Sequence, residues 1–183
     1  MKKILTAAAT LLFMSAGAYA QNCKLVKEKK DAFSDKSEKT AQVVTGKVSL
    51  MGGIKWLWEF HQADGATSIK LSIAMMGEFN QPFEQGTRLL LKLENGKVLT
   101  LTTVNNANPV TQALNGGSGT INVFTTYMLS FKPAKEDLTA LSQSTITDLK
   151  VDIPDRTIVS PKVVKKQMEQ IMNVSGCLLA THK

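Results

Sequence analysis

The sequence predicts a mainly β protein: an antiparallel β-sandwich or open barrel with a short helix and a C-terminal helix. Three observations predict this class. About eight strand-like segments follow one another at short spacing, turn residues separate them, and only two segments have helical periodicity. The chain has 183 residues, of which 43% are hydrophobic, so one domain with a substantial core is expected. We place this single β-rich domain at residues 21–183.

The first 20 residues have the pattern of a cleavable signal peptide. Lys2 and Lys3 precede an apolar run over 4–18 that is too short to cross a bilayer, and Ala18-Tyr19-Ala20 matches a small-x-small cleavage site. Cleavage after Ala20 predicts an exported chain in the periplasm, at the cell surface or outside the cell. No later apolar stretch predicts a transmembrane segment.

Two cysteines lie near the two ends of the expected mature chain. Cys23 and Cys177 would meet an oxidising compartment, where an even number of cysteines favours a disulfide. Two free or buried thiols are the alternative. Asn22 and Ala20 do not fit the motif that would attach a lipid to Cys23. The sequence has no C-x-x-C pair, which argues against a redox enzyme.

The N-terminal part of the domain predicts two strands, near 23–29 and 41–50. A polar connection over 31–40 separates them, and Gly52-Gly53 marks the next turn.

An aromatic strand follows at 54–61. Trp56, Trp58 and Phe60 alternate with more polar residues, so they share one face of this strand. Asp64-Gly65 predicts the turn of a hairpin into a strand with apolar residues at every second position from 69 to 73.

The segment 88–103 predicts a hairpin with a defined register. A three-residue loop, Glu94-Asn95-Gly96, pairs Leu91 with Leu99 and Leu89 with Leu101, so the apolar faces agree. A two-residue turn would put Leu99 and Leu101 on the opposite face. The longer loop is therefore expected, with Gly96 in the left-handed conformation.

The remainder of the chain predicts a loop, two strands and two helices. We expect a long loop over 105–119, a strand over 120–131 and a short helix over 134–141 after Pro133. A strand over 146–153 follows. A last helix begins with Ser160 as its cap and Pro161 at its first position, and Gly176 is expected to end it.

This arrangement resembles exported β-rich domains of Gram-negative bacteria whose function is uncharacterised. The features that carry the resemblance are the hairpin from Leu89 to Leu101, Leu138 and Leu141 of the short helix, and the strand from Leu149 to Ile153. The resemblance implies export and a β-rich fold, and it carries no functional residue to this chain.

The basic charge of the chain has two interpretations. The formal net charge is +7, and removal of the leader would leave 20 basic side chains against 15 acidic ones. Lysines crowd both ends of the mature chain: Lys24, Lys27, Lys29, Lys30, Lys36 and Lys39 near the start, and Lys162, Lys165 and Lys166 near the end. We favour solvated lysines over attraction to an anionic envelope surface. No nucleic-acid partner is expected, because only two basic residues are arginine, the better bidentate phosphate ligand.

Residues suited to catalysis or to holding a metal are sparse. Only His61 and His182 are histidines, no cofactor motif is present, and no short-spaced ligands predict a metal site. The run 116–119 lacks the features of a phosphate loop and is expected to be flexible. A glycosidase-like pair drawn from Glu59, Glu78 and Glu84 is left open, since such carboxylates meet in space.

The aromatic strand is the strongest candidate for ligand binding. Trp56, Trp58 and Phe60 would form either a platform on which sugars stack or part of the core, and burial explains the pattern fully. The leading hypothesis is therefore a non-catalytic exported domain with a structural or protein-binding role, whose partner is another envelope protein or a surface polysaccharide. A carbohydrate-binding module that uses Trp56 and Trp58 is the alternative, and a hydrolase with an unrecognised carboxylate site is third.

Overall fold

Ten strands form two antiparallel sheets in the computed structural model, which describes residues 23–30, 32–33, 36–46, 54–115, 119, 121–153, 156–159 and 164–180. The larger sheet has the order β1-β2-β3-β4-β8-β7, and the smaller has the order β10-β9-β5-β6. The strands are β1 (Val26–Lys30), β2 (Ser37–Gly46), β3 (Ile54–Ala63), β4 (Ala66–Met76), β5 (Arg88–Leu93), β6 (Val98–Thr102), β7 (Val110–Asn115), β8 (Ile121–Phe131), β9 (Ile146–Ile153) and β10 (Arg156–Val159).

The predicted fold class is confirmed. Each sheet has two edge strands, so neither closes into a barrel within the described part of the chain, and the arrangement is compatible with a β-sandwich. The two predicted helices are present as α1 (Lys135–Gln143) and α2 (Lys165–Leu179), and a short 3₁₀ turn spans Cys23–Leu25.

One hydrophobic core joins the two sheets and both helices. Alternation along the larger sheet buries one face of β2, β3, β4 and β8, while the smaller sheet contributes leucines from β5, β6 and β9. Met168 and Ile171 of α2 and Leu141 of α1 belong to the same cluster. Each fully buried large side chain stabilises the fold by about 1.5–3 kcal/mol relative to exposure, so the period-two patterns of the sequence fix which face turns inward.

Both predicted hairpin turns are confirmed. Asp64 and Gly65 both have positive φ, as a two-residue turn matched to strand twist requires. In the second hairpin Leu91 pairs with Leu99 and Leu89 with Leu101, and Gly96 has φ +84°. The three-residue loop therefore sets the register that puts all four leucines in the core.

One strand boundary and two whole strands differ from the sequence predictions. β2 begins at Ser37 and not at 41, because Lys39 points inward and hides the apolar alternation. The expected loop over 105–119 contains β7, which pairs with β8 along its whole length. β10 was not predicted, and it pairs with β9.

The last helix also differs at its end. Gly176 does not terminate α2, which continues to Leu179. An interior glycine costs about 1 kcal/mol relative to alanine, but residues 174–178 are all buried, and their packing holds the final turn. The predicted start of this helix at Pro161 is wrong, because Val164 is extended and α2 begins at Lys165. Ser160 and Pro161 themselves lie outside the described residues, as do the leader, the Gly52-Gly53 turn and residues 116–118.

The predicted disulfide is confirmed. Cys23 and Cys177 are bonded, with their Cα atoms 5.7 Å apart, so the 3₁₀ turn is tied to the last turn of α2. Among the described residues, no helix is long and apolar enough to cross a membrane.

Candidate protein-binding edge

The aromatic residues of β3 lie in the core and not on a surface. Trp56 and Trp58 have no exposed area, and Phe60 is 1% exposed. A sugar ring can stack only on an aromatic face that it reaches, so the platform interpretation is wrong and the core interpretation is confirmed. Inward-facing side chains of β2 and β4 flank these rings, and the rings belong to the one core cluster that both sheets and both helices share.

The two indole groups differ in their hydrogen bonding. Trp58 Nε1 donates to Thr45 Oγ1 at 3.0 Å, and both groups are fully buried. Trp56 Nε1 is buried with no hydrogen-bond partner among the described residues. Both indole groups thus belong to the core. The N–H group of Trp58 has a hydrogen-bond acceptor there, and that of Trp56 has none among the described residues.

Of the candidate catalytic residues, Glu59 and His61 line one surface cleft, whereas Glu84 lines another. His61 lies on the outer face of the larger sheet and contacts the Glu38 carboxylate. Glu59 lies on the same face, where it accepts a hydrogen bond from Gln42 at 2.8 Å, whereas Glu84 lines a separate cleft beside Arg88 and Asp152.

No metal centre or shared acid pair emerges from this arrangement. Glu78 is exposed, and no group of three His, Cys, Asp or Glu side chains within the described ranges is placed to hold a metal ion. His182 lies outside those ranges. The geometry therefore gives no support to the hydrolase hypothesis.

The most distinctive surface is the outer edge of β7, which no other described strand pairs with. This strand is the last of the larger sheet, and all six of its residues are exposed. Its sequence, Val-Thr-Gln-Ala-Leu-Asn, contains no charged residue. An edge strand presents unpaired N–H and C=O groups on its outer side, so β7 offers a backbone template for another extended chain.

Apolar side chains flank this backbone template. Val110 and Leu114 are each 55% exposed, and the register places them on the same outer face as Met128 of β8, which is also 55% exposed. Ile121 is 67% exposed and lies on the opposite face, beside Asn115. Both faces of the edge hairpin thus carry exposed apolar groups, and those of β7, Val110 and Leu114, lie where a partner strand would contact them.

The opposite edge of the same sheet, β1, carries charged side chains that oppose further strand pairing. β1 has the sequence Val-Lys-Glu-Lys-Lys, and charged side chains on an edge strand oppose pairing with further strands. The contrast is sharp because both edges belong to one sheet: β1 carries four charged residues and β7 carries none. Among the described residues, the edge of β7 thus lacks the charged side chains that protect the edge of β1.

A buried threonine network fixes the position of β7. Thr125 of β8 is fully buried; its hydroxyl donates to the carbonyl oxygen of Gly77 at 2.7 Å and accepts from the backbone N–H of Phe79 at 3.1 Å. Thr111 of β7 forms a hydrogen bond with the same hydroxyl at 3.1 Å. The edge is therefore positioned by the domain rather than left as a free loop.

Sequence reasoning missed this edge because Asn and Gly surround it. The sequence holds no clear strand signal there, because all six residues are exposed and apolar residues do not alternate with polar ones. Comparison of the chain with known proteins gives no match to a family model, to a curated protein or to a solved structure.

Proposed function

We propose that this protein is a non-catalytic exported domain that binds a partner protein by accepting an extended segment of that partner beside β7. The exposed and uncharged edge of β7 is the observation that supports the proposal. Strand addition of this kind draws affinity from backbone hydrogen bonds and specificity from alternate side chains.

The properties of β7 define the partner segment. Val110, Gln112 and Leu114 lie on one face of the strand and Thr111, Ala113 and Asn115 on the other, so the segment contacts two rows that each mix apolar and uncharged polar residues. A segment with few charges and with β-branched or aromatic residues at alternate positions fits both rows. An acidic or lysine-rich segment would bring charged groups against an uncharged edge at a desolvation cost.

Export is part of the proposal. The leader pattern of residues 1–20 and the Cys23–Cys177 disulfide both favour a chain that folds in an oxidising compartment. The partner is then another envelope or secreted protein, and a polysaccharide is disfavoured because the candidate stacking residues Trp56 and Trp58 are buried.

Site-specific photo-cross-linking in cells that make the protein tests the proposal. A photoreactive amino acid is placed at Gln112 or Leu114 of β7 and, as a control, at the exposed Thr40 of β2, a strand that is paired on both sides. We expect a specific adduct with another protein from the β7 positions and none from Thr40. The cross-linked peptide should map to an uncharged extended segment.

An edge variant provides the second measurement. Ala113→Lys places a charge on β7 and should abolish the adduct, whereas Thr40→Lys on β2 should leave it unchanged, because exposed substitutions away from the edge alter the fold little. Equal adducts from both strands, or no adduct from β7, would overturn the proposal. If the only adduct joins two copies of the chain, the segment beside β7 comes from a second copy, and the proposal of a different partner protein is wrong.

A further inference from the structure

A second surface, independent of β7, lies at one end of the larger sheet. The β3–β4 turn, the connection from β8 to α1 and the end of α2 meet there around a cleft of about 1000 Å³. Four lysines line it, namely Lys30, Lys39, Lys132 and Lys135, and we call it the lysine cleft. Glu28 is the one carboxylate among the lining residues.

Lys39 forms the floor of this cleft. It is 7% exposed, and its Nζ donates to the carbonyl oxygen of Ala180 at 2.9 Å, just beyond the end of α2. A buried ammonium group is costly unless a negative charge compensates it. The helix C-terminus supplies a partial negative charge, and Glu28 stands opposite Lys39 in the β1–β2 register.

The rim of the lysine cleft carries further positive charge. Lys30, Lys132 and Lys135 are exposed, and none of them takes part in an ion pair between described residues. Lys132 and Lys135 stand on either side of Pro133 and Ala134 at the start of α1, where Glu136 and Asp137 already compensate the helix dipole. Positive groups therefore converge from β1, β2 and the β8–α1 connection.

Neutral hydrogen-bonding groups complete the lining. Gln62 and Thr67 face each other across β3 and β4 in the same row as Lys39, and Gln62 Nε2 donates to Thr67 Oγ1 at 3.2 Å. His61 also borders the cleft, with its ring in contact with Glu38. Amide and hydroxyl groups beside lysines suit a ligand with several oxygen acceptors, each able to take more than one hydrogen bond.

We propose that the lysine cleft binds a small soluble polyanion that carries two or more phosphate groups. Three rim lysines against a single lining carboxylate leave an excess of positive charge, which low-dielectric walls concentrate, whereas the Lys39 ammonium already donates to the Ala180 carbonyl oxygen. One phosphate would lie between Lys132 and Lys135, and a second would lie beside Lys30. The site is separate from β7, so ligand binding here does not depend on the proposed partner.

Calorimetric titration of the purified, disulfide-bonded protein with inorganic tripolyphosphate tests this site. We expect saturable binding that weakens as salt is raised. The double variant Lys132→Ala, Lys135→Ala should reduce affinity at least about tenfold, since two charges near the ligand are lost. The matched control Lys92→Ala, Lys97→Ala removes two exposed lysines of the β5–β6 hairpin and should change affinity less than about twofold.

The vesicle arm of the experiment separates a soluble ligand from a lipid headgroup. Vesicles of phosphatidylglycerol are compared with vesicles of phosphatidylcholine under the same salt conditions. Absence of tripolyphosphate binding, equal weakening by both double variants, or binding confined to anionic vesicles would each overturn the proposal. Circular dichroism of the variants confirms that the exposed substitutions leave the fold intact.

Discussion

Cys23 and Cys177 join the first described element of the chain to the last turn of its last helix. Their bond spans a sequence separation of 154 residues, and Cys177 is 3% exposed. The 3₁₀ turn that bears Cys23 has no buried residue of its own. The N-terminal end is thus held to the domain by the covalent bond and by the pairing of β1 with β2.

Removal of this bond should lower stability substantially. Closing so long a loop restricts the unfolded chain, and the chain-entropy model gives about 5 kcal/mol for the double variant Cys23→Ser, Cys177→Ser. Urea denaturation of the variant and of the oxidised wild type measures the difference in unfolding free energy. A loss below about 1 kcal/mol would show that packing alone holds the two ends.

The hydrogen bond between Trp58 and Thr45 predicts a difference between two otherwise similar variants. Trp56→Phe and Trp58→Phe both remove part of a fully buried indole, but only Trp58→Phe leaves Thr45 without its buried donor. We expect Trp58→Phe to cost about 1 kcal/mol more in unfolding free energy. Equal losses would contradict a stabilising role for this hydrogen bond.

A double-mutant cycle isolates the same interaction. Thr45→Val alone strands the Trp58 N–H, whereas Thr45→Val in the Trp58→Phe background strands nothing further. The combined loss should therefore be smaller than the sum of the single losses. Strictly additive losses in urea denaturation would show that the two side chains are not coupled.

Gly46 and Gly96 provide a matched test of backbone geometry. Both have positive φ, but a Cβ at Gly46 would overlap the carbonyl oxygen of Ile54, while one at Gly96 meets nothing within 4 Å. Gly96→Ala should cost about 1 kcal/mol through the left-handed backbone alone, and Gly46→Ala should cost about 3 kcal/mol because backbone must also move. Similar unfolding free energies for the two variants would contradict this contrast.

The sequence predicted the parts of the fold that burial constrains. In the β5–β6 hairpin only one register puts Leu89, Leu91, Leu99 and Leu101 on a common face, so the pairing followed from the pattern. The aromatic face of β3 was identified for the same reason. A core face has a repeating apolar signal, and the turn residues at Asp64-Gly65 and Asn95-Gly96 divide it into strands.

The candidate sites were not predictable in the same way. β7 is exposed on both faces, so burial imposes no pattern on it, and its identity as a strand depends on pairing with β8. The lysine cleft combines Lys30, Lys39, Lys132 and Lys135, which lie about 100 residues apart in two groups. Surface sites assembled from distant segments require the topology before their members can be recognised.

The environment of Glu94 predicts that the stability of the fold decreases at acidic pH. A hydrogen bond from the Thr145 hydroxyl, at 2.5 Å, is the main reason that the pKa of the Glu94 carboxyl lies below its ordinary value, and the charge of Lys165 lowers it further. Because the pKa of Glu94 is lower in the folded state than in the unfolded state, its ionised carboxylate stabilises the fold at neutral pH. This stabilisation is lost as the pH falls below the ordinary glutamate range and through the lowered pKa.

Titration of the Glu94 carboxyl carbon by NMR tests this assignment. Thr145→Val removes the donor and should raise the pKa of Glu94 toward its ordinary value, with Lys165 still holding part of the shift. Thr139→Val is the control, because the Thr139 hydroxyl donates within α1 to the carbonyl oxygen of Lys135 and should leave the pKa of Glu94 unchanged. If the pKa of Glu94 is unaltered in Thr145→Val, the Thr145 hydroxyl is not the main cause of the lowered pKa. Lys165 would then be the cause, and Lys165→Gln should raise the pKa of Glu94 instead.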